Sequence, residues 1–296
     1  MSQSETVRGD NVRSSKPVPF AQPFLKWPGG KRWLVPTLLD LVRRYNCVTY
    51  REPFLGGGAL FFALRPTLAE LSDINPDLIN TYRQVKYKAA ALSAQLRNIP
   101  VDEKTYIALR SQQGGTVIER AVRFLYLNRT AFSGMYRLNR AGRFNVPFGG
   151  GERTTAPLWE AELLRVAARA LRTARLETMD FEVAMSRADE GDFVYCDPTY
   201  TVAHNNNGFV RYNERNFSWE DQERLARSCR DAVSRGATVV VSNAYHHEVL
   251  RLFGPPVHTV VSRISRLCPL REHRRSVEEY LFVYPGSQPC PGQRER

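Results

Sequence analysis

Ten residues, GDFVYCDPTY at positions 191–200, carry a short apolar run that stops abruptly on a carboxylate. Phe193 to Cys196 read as a strand, with Asp197 at its carboxyl end and Pro198 fixing the turn that follows. The Asp197 carboxylate and the Pro198 carbonyl are two acceptors close together, and Tyr200 adds a flat aromatic surface. That set suits an exocyclic amino group on a planar base, which has two N–H hydrogens to donate. The plain alternative is an Asp-Pro turn whose aspartate only caps backbone; the aromatic that follows favours the base site.

A second constellation lies earlier. FLGGGALFF (54–62) follows the apolar stretch Val48 to Phe54 and opens a helix, so its glycines, Gly56 first, let backbone approach a ligand closely. Asp73 stands 17 residues after Gly56, at the end of a second strand that begins at Leu68. An acid about 20 residues beyond such a turn binds ribose hydroxyls in dinucleotide-type sites, so the spacing suits an adenosine-containing ligand. GGG is not G-x-G-x-x-G, and a turn that merely packs a helix on a sheet would look the same. KWPGGKRW (26–33) is not a triphosphate loop, because the earlier glycine is missing and Arg32 stands where a hydroxyl is needed. A turn presenting Lys31 beside Trp27 can instead hold a carboxylate against an aromatic wall.

The third constellation is compositional. Residues 120–149 hold six arginines, six aromatics and no acid. Arginine neutralises phosphate and reads guanine with two bonds, while aromatics stack on or wedge between bases. A solvated charged face is the bland alternative; the mixed Arg, Asn, Gly and aromatic texture favours contact with nucleic acid. The formal charge of +12 points the same way, and residues 75–157, with 13 Lys or Arg against 5 Asp or Glu, carry most of it.

Other chemistries are disfavoured. Five cysteines, Cys47, Cys196, Cys229, Cys268 and Cys290, are scattered without a C-x-x-C pair, which argues for reduced structural thiols over disulfides or zinc. His246 and His247 are adjacent and not at helical ligand spacing, so no metal is expected. No run nears the roughly 18 apolar residues of a membrane span, and the N-terminus shows no secretory apolar segment, so a cytoplasmic protein is expected.

The elements needed to position these residues can be read in turn. Asn75 caps a helix with Pro76 at its first position, running through DLINTYRQVK. Trp159 to Arg172 is amphipathic, with Leu163, Ala167 and Leu171 on one side and Arg165, Arg169 and Arg172 on another. ARLETMD (174–180) is a strand ending at Asp180. Ser218 and Asp221 form a capping box for a helix that turns Leu225, Cys229 and Val233 inward and ends at Gly236. ATVVVS (237–242) is a buried strand, and Val257–Ile264 with Val277–Tyr284 form a closing antiparallel pair across the basic loop RLCPLREHRRS. Alternating strands and helices predict an open, doubly wound α/β sheet whose ligands sit beyond the carboxyl strand ends. Residues 1–19 and the tail from Pro285 onward are expected to be disordered.

Taken together, FLKWPGGK (24–31), EPFLGGGALF (52–61), LSDINPDLINTY (71–82), NRTAFSGMYRLNRAGRFNVPFG (128–149), GDFVYCDPTY (191–200), VVVSN (239–243) and VEEYLFVY (277–284) resemble, in order, the Dam-type N6-adenine DNA methyltransferases. The resemblance spans roughly residues 20–285. It implies a Rossmann-like S-adenosylmethionine-dependent fold, with residues 20–74 and 158–285 forming the catalytic and cofactor-binding part. A mainly helical DNA-recognition insertion would occupy 75–157, between tails at 1–19 and 286–296.

The resemblance also implies roles. Trp27 and Lys31 flank the methionine end of the cofactor, Asp73 its ribose, and Asp197 the meeting point of cofactor and target base. Phe54, Gly56 and Asp180 are further cofactor contacts, Asp180 near the adenine. A flipped adenine would donate its amino hydrogens to Asp197 and the Pro198 carbonyl and stack on Tyr200. On double-stranded DNA, Arg137 would read guanine, Phe132 wedge into the stack, Ser133 lie near backbone and Lys26 near an edge base pair. Arg129, Asn139 and Arg143 are further expected DNA contacts, GATC a plausible target, and a monomer the expected state.

The family's tetrapeptide is usually DPPY, and here Thr199 replaces the second proline. Threonine frees a backbone φ and adds an N–H and a hydroxyl, so the expectation is the same mechanism with altered rate or base tolerance. N4-cytosine methylation, which uses similar tetrapeptides, and a DNA-binding regulator without catalysis are the competing readings.

Overall fold

The computed structural model describes residues 22–45, 47–139, 141–150, 161–201, 217–254, 257–264 and 276–287. Residues 1–19, the greater part of the final tail and the basic loop before Ser276 lie outside the described residues.

Seven strands form one sheet. Strands β1 (Thr49–Glu52), β2 (Ala69–Asp73), β3 (Ala174–Thr178), β4 (Asp192–Cys196) and β5 (Thr238–Ala244) are parallel. β7 (Ser276–Tyr284) runs antiparallel to both β5 and β6 (Val257–Ile264) and lies between them. The order β3-β2-β1-β4-β5-β7-β6 winds one way from β1 and the other way from β4, so the topological switch point falls between these two strands. This is the doubly wound sheet with a closing antiparallel hairpin that the sequence predicts.

Helices cover both faces, which is why β4 and β5 are buried at every residue. Side chains alternate between the faces. Phe193, Tyr195, Val240, Leu281 and Val283 enter one core with helices α1 (Val35–Arg44), α2 (Ala59–Leu64) and α3 (Pro76–Arg97). Cys196, Val239, Val241 and Phe282 enter the other, beside three helices: α7 (Phe181–Met185), α8 (Trp219–Ser234) and α9 (His247–Phe253).

Between β2 and β3 lies a mainly helical insertion. Asn75 caps α3, accepting from the backbone of Asp77 and Leu78, and the helix extends well beyond Lys86 because Leu92 and Leu96 are also buried. It packs against β2 and β3, against α5 (Val117–Thr130), which follows α4 (Glu103–Ser111), and against α6 (Ala161–Ala170). The expected helix from Trp159 thus starts, among the described residues, at Ala161. It buries Leu164, Val166 and Ala167, leaves Leu163 half-buried and ends in a 3-10 turn at Leu171–Thr173. After α5 the chain folds into a small hairpin, with bridges Ala131 to Phe148 and Leu138 to Phe144.

Arg83 and Lys86 of α3 donate to the carbonyls of Leu176 and Ala174, capping part of the outer edge of β3. The Ser218–Asp221 capping box of α8 forms as expected, with Leu225 and Cys229 buried and Val233 half-buried. Asp180 is a correction. β3 stops at Thr178, and Asp180 lies two residues further on, where its carboxylate accepts from the Glu182 amide and caps α7. No helix among the described residues is long and apolar enough to cross a membrane.

Candidate active site

The carboxyl ends of adjacent strands set a row of acids side by side: Asp73 ends β2, Glu52 ends β1, and Asp197 follows β4. Glu52 and Asp197 therefore flank the switch point. Glu279 continues the row from β7, opposite Ala244 of β5. A single lysine answers two of them. Lys31 Nζ lies 2.9 Å from Asp197 Oδ1 and 3.5 Å from Glu279 Oε2, with side chains only 6% exposed for Lys31 and 0% for Glu279.

Asp197 is held by one oxygen. Besides Lys31, Oδ1 accepts from Ser242 Oγ at 2.8 Å, and Tyr195 Oη lies 3.1 Å behind Ser242. With the serine hydrogen given to Asp197, the tyrosine donates to the serine, making a relay from β4 to β5 and back. Among the described residues no hydrogen bond goes to Oδ2, and the side chain is 22% exposed. Pro198 is buried, Thr199 exposed and Tyr200 half-buried, so the threonine side chain faces out of the turn. The Tyr200 ring sits 4.7 Å from Lys31 Nζ, and its hydroxyl lies against the Glu279 carboxylate. Burial raises the Asp197 pKa, while Lys31 and Ser242 pull it back.

Behind the turn, a polar chain joins the tetrapeptide to β5. Thr201 Oγ1 donates to the Phe217 carbonyl, Gln222 Nε2 to Thr201 Oγ1, and Asn243 Nδ2 to Gln222 Oε1. Each of these three side chains is buried and bonded, so the exit of the turn is fixed.

The glycine turn forms the adjoining wall. Asp73 accepts from the amides of Gly56 at 3.0 Å and Asn75 at 3.0 Å, which ties β2 to the turn after β1. Gly56 has φ +45°, and a β-carbon there would lie 2.7 Å from Trp27 Nε1. The indole thus packs directly on the turn, and Tyr82 Oη donates to the Gly56 carbonyl from α3. Burial also raises the Asp73 pKa and pushes Glu52, which accepts from Tyr50 Oη at 2.8 Å, up to about 8. Phe54 stacks on Phe181, 5.2 Å between centroids, with Phe217 edge-on. Arg224 covers the other end of this group, pairing with Asp180 and Glu182 and lying 4.8 Å from the Phe181 ring.

The insertion reaches the same region through Trp27, whose ring stacks on Tyr136 and Phe124. Lys26 and Asn128 exchange two hydrogen bonds, and the Lys26 stem packs on Gly134, where a β-carbon would lie 2.4 Å from Cδ. Phe132 is 53% exposed at the tip beside Ser133, a non-glycine residue at φ +54°. Arg143 is exposed, and Arg137 Nε donates to Asn145 Oδ1 at 2.8 Å. Two expected DNA contacts do internal work: Arg129 donates to the Phe24 carbonyl, and Asn139 accepts from the amides of Ala141 and Arg143 to fold the hairpin turn.

Tertiary structure adds Glu279, Ser242, Glu52 and the Thr201–Gln222–Asn243 chain to the residues expected from sequence. A signal for Glu279 exists: period-2 alternation in VEEYLFVY sets it on the face of Leu281 and Val283, where an acid is out of place.

Comparison with known proteins identifies the family. Residues 27–260 match the family model for D12 class N6 adenine-specific DNA methyltransferases. The chain is 38% identical over 234 residues to the Type II methyltransferase M1.LlaDCHI of Lactococcus lactis subsp. cremoris, covering 75% of this chain and 81% of that one. It is 33% identical over 280 residues to the DNA adenine methylase of Salmonella typhi, covering 92% and 98%. With the Type II methyltransferase M.MjaIII of Methanocaldococcus jannaschii, it shares 31% identity over 286 residues, covering 88% and 98%. With its motifs in order along a doubly wound sheet and the match running through most of its length, this chain belongs to the D12 class of N6 adenine-specific DNA methyltransferases.

Proposed function

We propose that the chain transfers a methyl group from S-adenosylmethionine to the N6 amino group of an adenine flipped out of duplex DNA, with Asp197 as the central catalytic residue. The observation that carries this is the tethering of Asp197 by Oδ1 alone, at the switch point, with Oδ2 directed to no described partner. A carboxylate fixed in this way can accept an amino hydrogen without moving, and fixed acceptors are what such a reaction requires. Pro198 supplies the second acceptor and Tyr200 the stacking surface.

The residues beside it fit S-adenosylmethionine. Gly56 leaves no room for a side chain against Trp27, and Asp73 ends β2 beside that turn. Trp27 and Lys31 would hold the methionine end, Asp73 the ribose, and Phe54, Gly56 and Asp180 the remainder of the nucleoside. S-adenosylmethionine held there would supply an electrophilic methyl carbon, its sulfur taking the electron pair of the C–S bond as the N6–C bond forms, and the proton given up by N6 would pass to solvent. Holding both amino hydrogens draws the nitrogen lone pair out of the ring for that attack.

Residues 75–157 would act as the DNA-reading insertion, the chain working as a monomer on duplex DNA. Arg137 reads guanine, Phe132 enters the stack, and Lys26, Ser133 and Arg143 meet backbone or flanking pairs, within GATC. Support comes from the exposure of Phe132 and Arg143 and from the net positive charge of the segment.

Sequencing that maps N6-methyladenine on DNA from cells expressing the chain tests base, target and activity together. Methyladenine within GATC is expected, and Asp197→Ala should lower transfer by about 10³-fold or more, the scale of losing a fixed charge-stabilising group. N4-methylcytosine as the sole product, or an unimpaired Asp197→Ala enzyme, would overturn the assignment.

A further inference from the structure

The parallel register of β4 and β5 ends with Cys196 opposite Val241, so one step further on Ser242 comes level with Asp197, and alternation puts Tyr195 on the same face as both. Their neighbours on that face, Phe193, Val240 and Leu281, are apolar, and Tyr195 is 2% and Ser242 0% exposed. Two hydroxyls buried there cost stability unless each is bonded. Ser242 Oγ donates to Asp197 Oδ1 at 2.8 Å, which commits its hydrogen, so the 3.1 Å contact with Tyr195 Oη is made by the tyrosine hydrogen. Burial and the nearby Asp197 carboxylate push the Tyr195 pKa up, which keeps that hydrogen in place at neutral pH. Lys31 Nζ meets the same carboxylate oxygen at 2.9 Å, but an ammonium on a flexible four-carbon stem is a point charge, whereas a serine hydroxyl on a paired strand is directional. On the opposite face Asn243, Gln222 and Thr201 fix the exit of the turn, and Pro198 restricts the residue after Asp197. What is left to set is the rotation of the Asp197 side chain.

We propose that Ser242, steadied by Tyr195, is the positioning residue that sets the rotation of the Asp197 carboxylate and so directs Oδ2 at the target amino group, while Lys31 supplies charge without direction. The inference rests on the function proposed above. Tyr195 acts only through Ser242, and Ser242 only through Asp197. A carboxylate free to turn spends less time with an oxygen in line with the amino hydrogen, so losing the relay slows the transfer step and spares ligand binding. Two hydroxyls that merely satisfied one another would couple in stability and leave the transfer rate of the folded protein unchanged.

The test is a double-mutant cycle on the single-turnover rate of labelled methyl transfer to unmethylated plasmid DNA at saturating S-adenosylmethionine, with calorimetric cofactor titration and thermal melts of each variant. Ser242→Ala should lower the rate about 10- to 100-fold, the scale of one hydrogen bond to a charged group, and Tyr195→Phe about three- to tenfold, the scale of a neutral one. The double variant should match Ser242→Ala within about twofold, with the S-adenosylmethionine Kd held within about threefold throughout. Where Ser242→Ala melts too low to assay, the double variant, which leaves neither hydroxyl unpaired, decides alone against the same loss. Wild-type transfer in Ser242→Ala, losses that multiply in the double variant, or a cofactor Kd that rises as far as the rate falls would overturn the inference and leave the methyl-transfer reading intact, since Asp197→Ala tests that separately. A wild-type chain that transfers no methyl to DNA would overturn both.

Discussion

Glu52 ends β1 between the strands that end near Asp73 and Asp197, and burial with these like charges nearby is what holds its proton to about pH 8. The sign of the linkage follows. Between the ordinary value of 4.5 and about 8 the unfolded chain has lost a proton that the folded chain keeps, so this group makes folding stability fall as pH rises through that window. Glu52→Gln keeps an acceptor for Tyr50 and removes the titration. The variant should therefore gain thermal stability relative to wild type between pH 5 and pH 8, and melts at the two pH values check it; a constant difference would mean that Glu52 does not titrate there. Sequence showed an acid preceding the glycine turn but gave no sign that it is buried, because that depends on α2 and α3 closing over the strand end.

At the scale of elements, the strand, glycine turn and helix from Thr49 to Leu64 act as one unit with Trp27, a residue some thirty positions away. Gly56 has to adopt a left-handed φ and leave space for the indole, so Gly56→Ala is strained in two ways. A loss of about 1–3 kcal/mol in denaturant unfolding is expected, with weaker cofactor binding, since the turn and Trp27 move together. Unchanged stability would show that the turn relaxes freely. The caps of α3 and α8 were legible because they depend on residues within three positions of each other. The length of α3 was not: Leu92 and Leu96 are held by packing, and the break at Lys88, φ −134°, lies where a purely helical pattern has none. Asp180 shows the same limit, since where β3 stops depends on its pairing with β2.

For the whole molecule, charge and topology divide the work. The acids gather at the carboxyl edge of the sheet, while the insertion between β2 and β3 carries most of the basic surplus. Binding to duplex DNA through that surplus releases counterions, so affinity should fall by orders of magnitude between about 50 and 200 mM salt. Cofactor affinity, set at a buried site, should change little over the same range. Filter binding for DNA and calorimetry for the cofactor separate the two; a DNA affinity that holds steady over this range would place the basic segment outside the DNA interface. The insertion is also not a detached module, because α3 packs on β2 and β3 as well as on α5, and Trp27 stacks on Tyr136.

The sequence by itself indicated a doubly wound sheet, the two helix caps, the closing hairpin, a glycine turn at Gly56 and a strand that stops just before Asp197. Each of these is a local matter of spacing, alternation or turn chemistry. Only the tertiary structure decided which charges meet. Lys31 reaches both Asp197 and Glu279 because β7 inserts beside β5, and Ser242 reaches Asp197 because β4 and β5 are paired in register. Such contacts join residues tens to hundreds of positions apart, and their energies depend on burial, which no single stretch of sequence contains.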